Sequence, residues 1–190
     1  MTSTGCLVTS TPDFTPPKRT RPFLITATAD PDPRNFQILD APPGAVLAPS
    51  FSADVHVDDE ADKIKALVYI DYGKPNVAGG PFQQFYIVQH IDASSVADTK
   101  TLRIKANTPL AYPIDPGWHT ATLMVSHEFA DSQCPVCLND SSQISWPLYR
   151  CNSLESADSC TPKLSLTENW APGCSPIADA DAGVDCGAIP

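Results

Sequence analysis

The sequence predicts an all-β protein: one sandwich of antiparallel sheets over residues 22–150, followed by an irregular, disulfide-rich extension over residues 151–190. Three observations carry that reading. Short runs of period-two alternation are separated by Pro, Gly, Asp and Asn at intervals of roughly ten to fifteen residues, the rhythm of a sandwich. Twenty prolines in 190 residues interrupt the chain too often for long helices, because proline in a helix interior removes a hydrogen bond and clashes with the preceding turn. Six of the seven cysteines, Cys134, Cys137, Cys151, Cys160, Cys174 and Cys186, fall in the C-terminal third. A hydrophobic fraction of 42% suffices for one packed core in a chain of this length.

The elements follow in order. Phe23 to Ala29 forms a first strand, ended by Asp30-Pro31-Asp32-Pro33. Phe36 to Leu39 is a short second piece, ended by Ala41-Pro42-Pro43-Gly44, and the two prolines exclude a central position because they cannot donate to a ladder. Phe51, Ala53, Val55 and Val57 then alternate with Ser52, Asp54, His56 and Asp58, so one face is buried and the other wet. Ile64 to Tyr72 is apolar on both faces, as a central strand must be, and Gly73 to Pro81 is a loop. Gln83 to Ile91 and Lys100 to Ala106 continue the series, the latter with Leu102, Ile104 and Ala106 inward. Asp92 to Asp98 is a helix-like connector of one or two turns. Gln143 to Arg150 is the last strand, reached through a long hairpin whose tip carries Cys134 and Cys137.

The segment Asp115-Pro-Gly-Trp-His-Thr-Ala-Thr-Leu-Met-Val-Ser126 is more specific. It resembles the penultimate strand of bacterial immunoglobulin-like and PKD-like domains, in which a Pro-Gly turn feeds an aromatic residue and then an alternating apolar ladder. Those families usually carry Tyr or His just after the glycine; here Trp118 and His119 stand there. The resemblance covers residues 22–150 and implies a single immunoglobulin-like β-sandwich, with no activity attached. It also implies that His119 fills the corner position where such folds use a tyrosine to hydrogen-bond the preceding loop.

A formal net charge of −10 repels phosphate backbones, and Lys18, Arg19 and Arg21 form the one basic cluster, so nucleic acid is excluded as a partner. No run of 18 apolar residues exists in the sequence to span a bilayer as a helix. Membrane attachment would need a lipid or a partner.

Ser3-Thr4-Gly5-Cys6 resembles the end of a bacterial lipobox, where a small residue precedes the cysteine that is diacylated. That resemblance implies a lipid anchor at Cys6 and a place in the bacterial cell envelope, at the outer membrane. Residues 7–21, rich in Thr, Ser and Pro, would be the flexible tether completing an N-terminal region of residues 1–21. Residues 1–5 hold neither the basic nor the apolar region of a leader. The lipobox reading therefore puts the leader upstream of Met1, and the alternative makes Cys6 an ordinary thiol. The other six cysteines are expected to form three disulfides, in any of 15 pairings. Cys134-Pro-Val-Cys137 also has the spacing of a zinc knuckle or redox pair, but no second C-x-x-C and no later His completes a zinc site. Residues 151–190 lack periodicity and are expected to run over the sandwich surface, tied back to Cys134 or Cys137 and pinned by Trp170.

Candidate sites are sparse. Asp179, Asp181 and Asp185 around Gly183 have calcium-loop character, but Gly183 and Pro190 occupy positions where such a loop needs carboxylates. Asp54, Asp58, Asp59, Glu60 and Asp62 form a second acidic group; solvated segments explain both. His119 and His127, eight residues apart on one strand, would stand about 26 Å apart and cannot share an ion. His56 and His90 complete no Ser-His-Asp or Cys-His order. Tyr69, Tyr72, Phe82, Phe85 and Tyr86 either line a sheet face that docks a protein or sugar, or belong to the core. Asn139-Asp-Ser141 fits a glycosylation sequon that a bacterial source would leave silent.

Together these readings lead to an expectation: a non-catalytic envelope lipoprotein, binding or structural, with an envelope protein as partner and no cofactor. The alternative is a carbohydrate- or calcium-binding accessory module of an exported enzyme system.

Overall fold

In the computed structural model, the described residues are 20–39, 49–58, 63–78, 80–91, 101–107, 114–151 and 160. They form eight strands: β1 (Phe23–Asp30), β2 (Gln37–Leu39), β3 (Ser50–His56), β4 (Ile64–Ile70), β5 (Gln84–Ile91), β6 (Thr101–Asn107), β7 (Gly117–Ser126) and β8 (Ser141–Arg150). One 3₁₀ turn, Leu138–Asp140, precedes β8. The strands make a three-stranded sheet, β1-β3-β6, and a five-stranded sheet, β2-β8-β7-β4-β5. The expected helix-like connector at 92–98, the N-terminal region through residue 19, and the extension apart from Cys151 and Cys160 lie outside the described residues.

The inner faces of the two sheets share one core. Phe51, Ala53 and Val55 of β3 meet Ile104 and Ala106 of β6, Ala66 and Val68 of β4, Leu123 and Val125 of β7, and Ile144 and Leu148 of β8. Trp146 is its centre, fully buried, with its ring centroid 4.9 Å from that of Phe51 and its indole N–H donated to the Pro31 carbonyl. Each large apolar side chain so buried contributes about 1.5–3 kcal/mol. A polar tie crosses between the sheets as well: the Leu24 N–H donates to Ser142 Oγ over 3.1 Å.

β1 is an edge strand whose register with β3 shifts between Ile25 and Asp30. Thr28 fills the irregularity, accepting from the Asp54 N–H and donating to the Ile25 carbonyl, each over 2.8 Å. Arg103 of β6 ties its own strand to both of these from outside, reaching the Thr28 carbonyl on β1 and Asp54 and Ser52 Oγ on β3.

One feature departs from the all-antiparallel expectation. β2 pairs parallel with β8, Gln37 against Leu148 and Leu39 against Arg150. The reason it was hidden is geometric: side chains alternate with period two in either pairing, so burial of Leu39 fixes which face β2 shows and not which way its neighbour runs. The expected position of β2 at an edge, dictated by Pro42 and Pro43, agrees with its place in the sheet.

β4 and β7, at the middle of the larger sheet, are apolar on both faces. Inward they give Ile64, Ala66, Val68, Ile70, Ala121, Leu123 and Val125; outward they give Leu67, Tyr69 and Met124, which start a second cluster.

Candidate functional site

The second cluster lies on the outer face of the five-stranded sheet. Leu67, Tyr69, Phe82 and Met124 are buried in it, with Tyr72 and Phe129 packed at its margin. What covers them is the β7–β8 connection, a small hairpin in which Ala130 N–H bonds to the Cys134 carbonyl, Val136 N–H to the Glu128 carbonyl, and Phe129 bridges Pro135. Tyr69 fastens this flap to the sheet by donating its hydroxyl to the Gln133 carbonyl over 2.7 Å. Its ring packs 5.2 Å from Tyr72 and 5.0 Å from Phe82. Burial, with a smaller contribution from Tyr72, pushes the Tyr69 hydroxyl well above the ordinary tyrosine range, since removal from water disfavours the phenolate.

The flap is also held at its base and tip. His127 Nδ1 bonds to the Asp140 carboxylate at 2.7 and 2.9 Å, with both side chains buried. Cys134 and Cys137 are each in a disulfide whose partner lies outside the described residues, and Cys151 is bonded to Cys160 with Cα atoms 5.6 Å apart. All four described cysteines are therefore disulfide-bonded, which leaves Cys134 and Cys137 no thiolate for zinc.

The five aromatic residues singled out in the sequence thus divide. Tyr69, Tyr72 and Phe82 lie beneath or beside the flap, Tyr86 turns inward against the main core, and Phe85 alone stays exposed on the outer face. Period two explains the split, because Phe85 and Tyr86 are successive on β5 and must face opposite ways. Apart from Phe85, the residues of the surface that remains apolar are not ones the sequence singles out. Phe85 and Ile87 on β5 and Ile38 on β2 project from the outer face, Ile38 opposite Tyr149, and Phe36 meets Trp118 edge to face at 5.7 Å. Trp118 in turn meets Tyr149 at 5.1 Å.

At the β4 end of this sheet sits a polar pocket of about 230 Å³. Its inner wall is Asp71, a non-glycine residue held at φ 56°, a left-handed conformation that Asp tolerates better than most residues. The carboxylate holds it there: Oδ1 accepts from the Thr120 N–H at 3.1 Å, and Oδ2 bonds to His119 Nδ1 at 2.8 Å. His119 Nε2 reaches the Asp115 carbonyl at 2.7 Å, the backbone contact expected of a corner residue. Gly117, at φ 131°, completes the turn before β7, where a side chain would be strained although a Cβ would meet nothing within 4 Å.

This network has the Asp–His pairing also found in hydrolytic triads; both ring nitrogens are engaged, and none of the described residues lining the pocket is a Ser, Thr or Cys. His56 and His127 belong to other contacts. His56 bonds to Thr101 and approaches Asp58, while the side chain of His90 lies outside the described residues. Asp54 faces Arg103. Asp59, Glu60, Asp62, Asp179, Asp181 and Asp185 lie outside the described residues, as do Cys6, Cys174, Cys186 and Trp170. Among the described residues no three His, Cys, Asp or Glu side chains converge for a metal ion.

No protein-family model matches the chain. No curated protein matches it either. Among solved structures, a Pseudomonas fluorescens alkylpurine DNA glycosylase bound to DNA with an abasic-site analogue aligns at TM-score 0.33 and 12% identity, over 68% of this chain and 29% of that one. A likeness of that size carries no argument about activity.

Proposed function

We propose that the chain is a non-catalytic binding or structural module of a bacterial envelope assembly, anchored through a lipid on Cys6, which docks an envelope protein on the outer face of its five-stranded sheet. The reading takes the module to be an immunoglobulin-like sandwich. The strand order β1-β3-β6 against β2-β8-β7-β4-β5, with β1 and β2 in different sheets, supports that assignment.

One observation carries the docking surface. Of the six large apolar side chains that stand exposed among the described residues, Phe36, Ile38, Phe85 and Ile87 belong to the outer side of one sheet. Ile87 is 61% exposed and Phe85 39%. Phe36 and Ile38 at the β2 edge and Phe85 and Ile87 at the β5 edge flank the covered cluster on the same outer side; apolar side chains left exposed on one face mark interaction surfaces, and aromatic anchors supply contact area at low entropic cost.

Photo-crosslinking in the native envelope tests this. A benzophenone side chain at position 87 or 38 should yield discrete protein adducts, and one at Lys105, exposed on the other sheet, should not. Equal labelling from all three positions, or none from 87 and 38, would reject the docking face.

A further inference from the structure

We propose that the pocket beside Asp71 is a binding site for a single neutral pyranose ring. It goes beyond the docking reading and fails separately from it, because it is tested at Lys74 and Asp115, which are not among the apolar side chains of the docking face.

The volume sets the scale. About 230 Å³ is below the roughly 300 Å³ at which sites for drug-sized ligands begin, enough for one ring and too little for a chain of them. The lining sets the chemistry. Ile70, Ile114, Pro116 and Trp118 supply apolar and aromatic surface, and Lys74, Gln83, Gln84 and Asp115 supply donors and acceptors around it. A pyranose has the same two-part surface, with C–H groups on its faces and hydroxyls at its rim.

Two of the polar groups are fixed before any ligand arrives. Gln83 Nε2 donates to the Lys74 and Pro75 carbonyls at 3.2 and 2.7 Å, which orients its Oε1 as an acceptor. Gln84 Oε1 accepts from the Tyr86 hydroxyl at 2.7 Å, which commits its NH₂ as a donor. Preorganised groups lose less freedom on binding than mobile ones. Trp118 is likewise positioned by Phe36 and Tyr149, and the backbone at Asp115 by the bond from His119 to its carbonyl.

Charge selects a neutral ligand. The Asp71 carboxylate is already taken by His119 Nδ1 and the Thr120 N–H, which leaves Lys74 and Asp115, both exposed, as the opposite charges among the described residues lining the pocket. An acidic or a basic sugar would gain one of these and oppose the other, whereas a neutral polyol can accept from the ammonium and donate to the carboxylate.

The test is isothermal titration of the full, oxidised chain with glucose, galactose, mannose and N-acetylglucosamine. At least one should saturate with a dissociation constant on the order of 1 mM. Lys74→Ala and Asp115→Asn should each weaken it about tenfold, the loss of one charge-assisted hydrogen bond. Because both side chains are exposed, the unfolding midpoints of the variants should match that of the parent. Failure of all four sugars to saturate would overturn the proposal, and so would binding that both substitutions leave unchanged, since the sugar would then sit elsewhere.

Discussion

The two faces of the five-stranded sheet are both apolar at its centre, yet they are closed by different means. On the inner face, residues of β4, β7 and β8 meet a second sheet, and the strands of both sheets contribute by simple alternation. On the outer face, Leu67, Tyr69, Phe82 and Met124 are covered by a flap of irregular chain between β7 and β8, held by one tyrosine hydroxyl, a buried His127–Asp140 pair and cysteine crosslinks. The inner closure is made by many interchangeable apolar contacts. The outer closure depends on a few specific ones, and it stops short of Phe85 and Ile87, which stay exposed.

The largest expected effect tests the inner face. Trp146→Ala removes the centre of the main core and should destabilise the protein by about 3–5 kcal/mol, with every amide protected from hydrogen exchange losing protection together. If only part of the molecule responded, the two sheets would not form one cooperative core.

A smaller and local effect is expected on the outer face. Tyr69→Phe keeps the ring and deletes the bond to Gln133, at a cost of about 1 kcal/mol, and hydrogen exchange should accelerate chiefly in residues 127–137. The same substitution has a signature in pH. The folded state holds the Tyr69 proton after an unfolded chain has lost it, so the stabilisation present below about pH 10 is lost as pH rises from the unfolded-chain value toward the folded one. Chemical denaturation across that range should show a steeper loss for the parent protein than for Tyr69→Phe. Parallel curves would mean that the flap leaves Tyr69 accessible to water.

The smallest effect is expected far from either closure. Hydrogen bonds from Arg34, first through its guanidinium and then through its backbone, lower the Asp32 carboxyl from 3.8 to about 2. Both groups are solvated, so Arg34→Ala should return Asp32 toward its ordinary value in an NMR titration and leave the unfolding midpoint in place. A measurable drop in stability would show that this turn matters to the crossing from β1 to β2.

The difference between the faces also marks how far the sequence could be read. Phe51, Ala53 and Val55 announce their strand and their buried face, because alternation is a local property of β structure. The Pro116-Gly117 turn announces where β7 begins, and its motif anticipated the bond from His119 to the preceding turn. Apolar residues on both sides of Ile64 to Ile70 marked a central strand, with nothing to say what would cover its outer face. Of the pocket, the sequence marked only the turn from Asp115 to His119. Asp71 lies 48 positions away, with no local pattern to mark it as a partner, and a positive φ at an aspartate leaves no trace in composition.

What the sequence determined by itself, then, is the all-β character, the course of most strands and the inward residues of each, since those follow from short-range periodicity and the conformational limits of Pro and Gly. Tertiary structure alone decided that β2 runs parallel to β8, that the flap claims Tyr69 and Phe82 while passing over Phe85 and Ile87, and that Asp71, His119 and Asp115 meet at one end of a sheet. These outcomes depend on contacts between residues far apart in the chain, and such contacts are selected by the shape and hydrogen-bonding needs of the assembled sheets, which no local window of sequence contains.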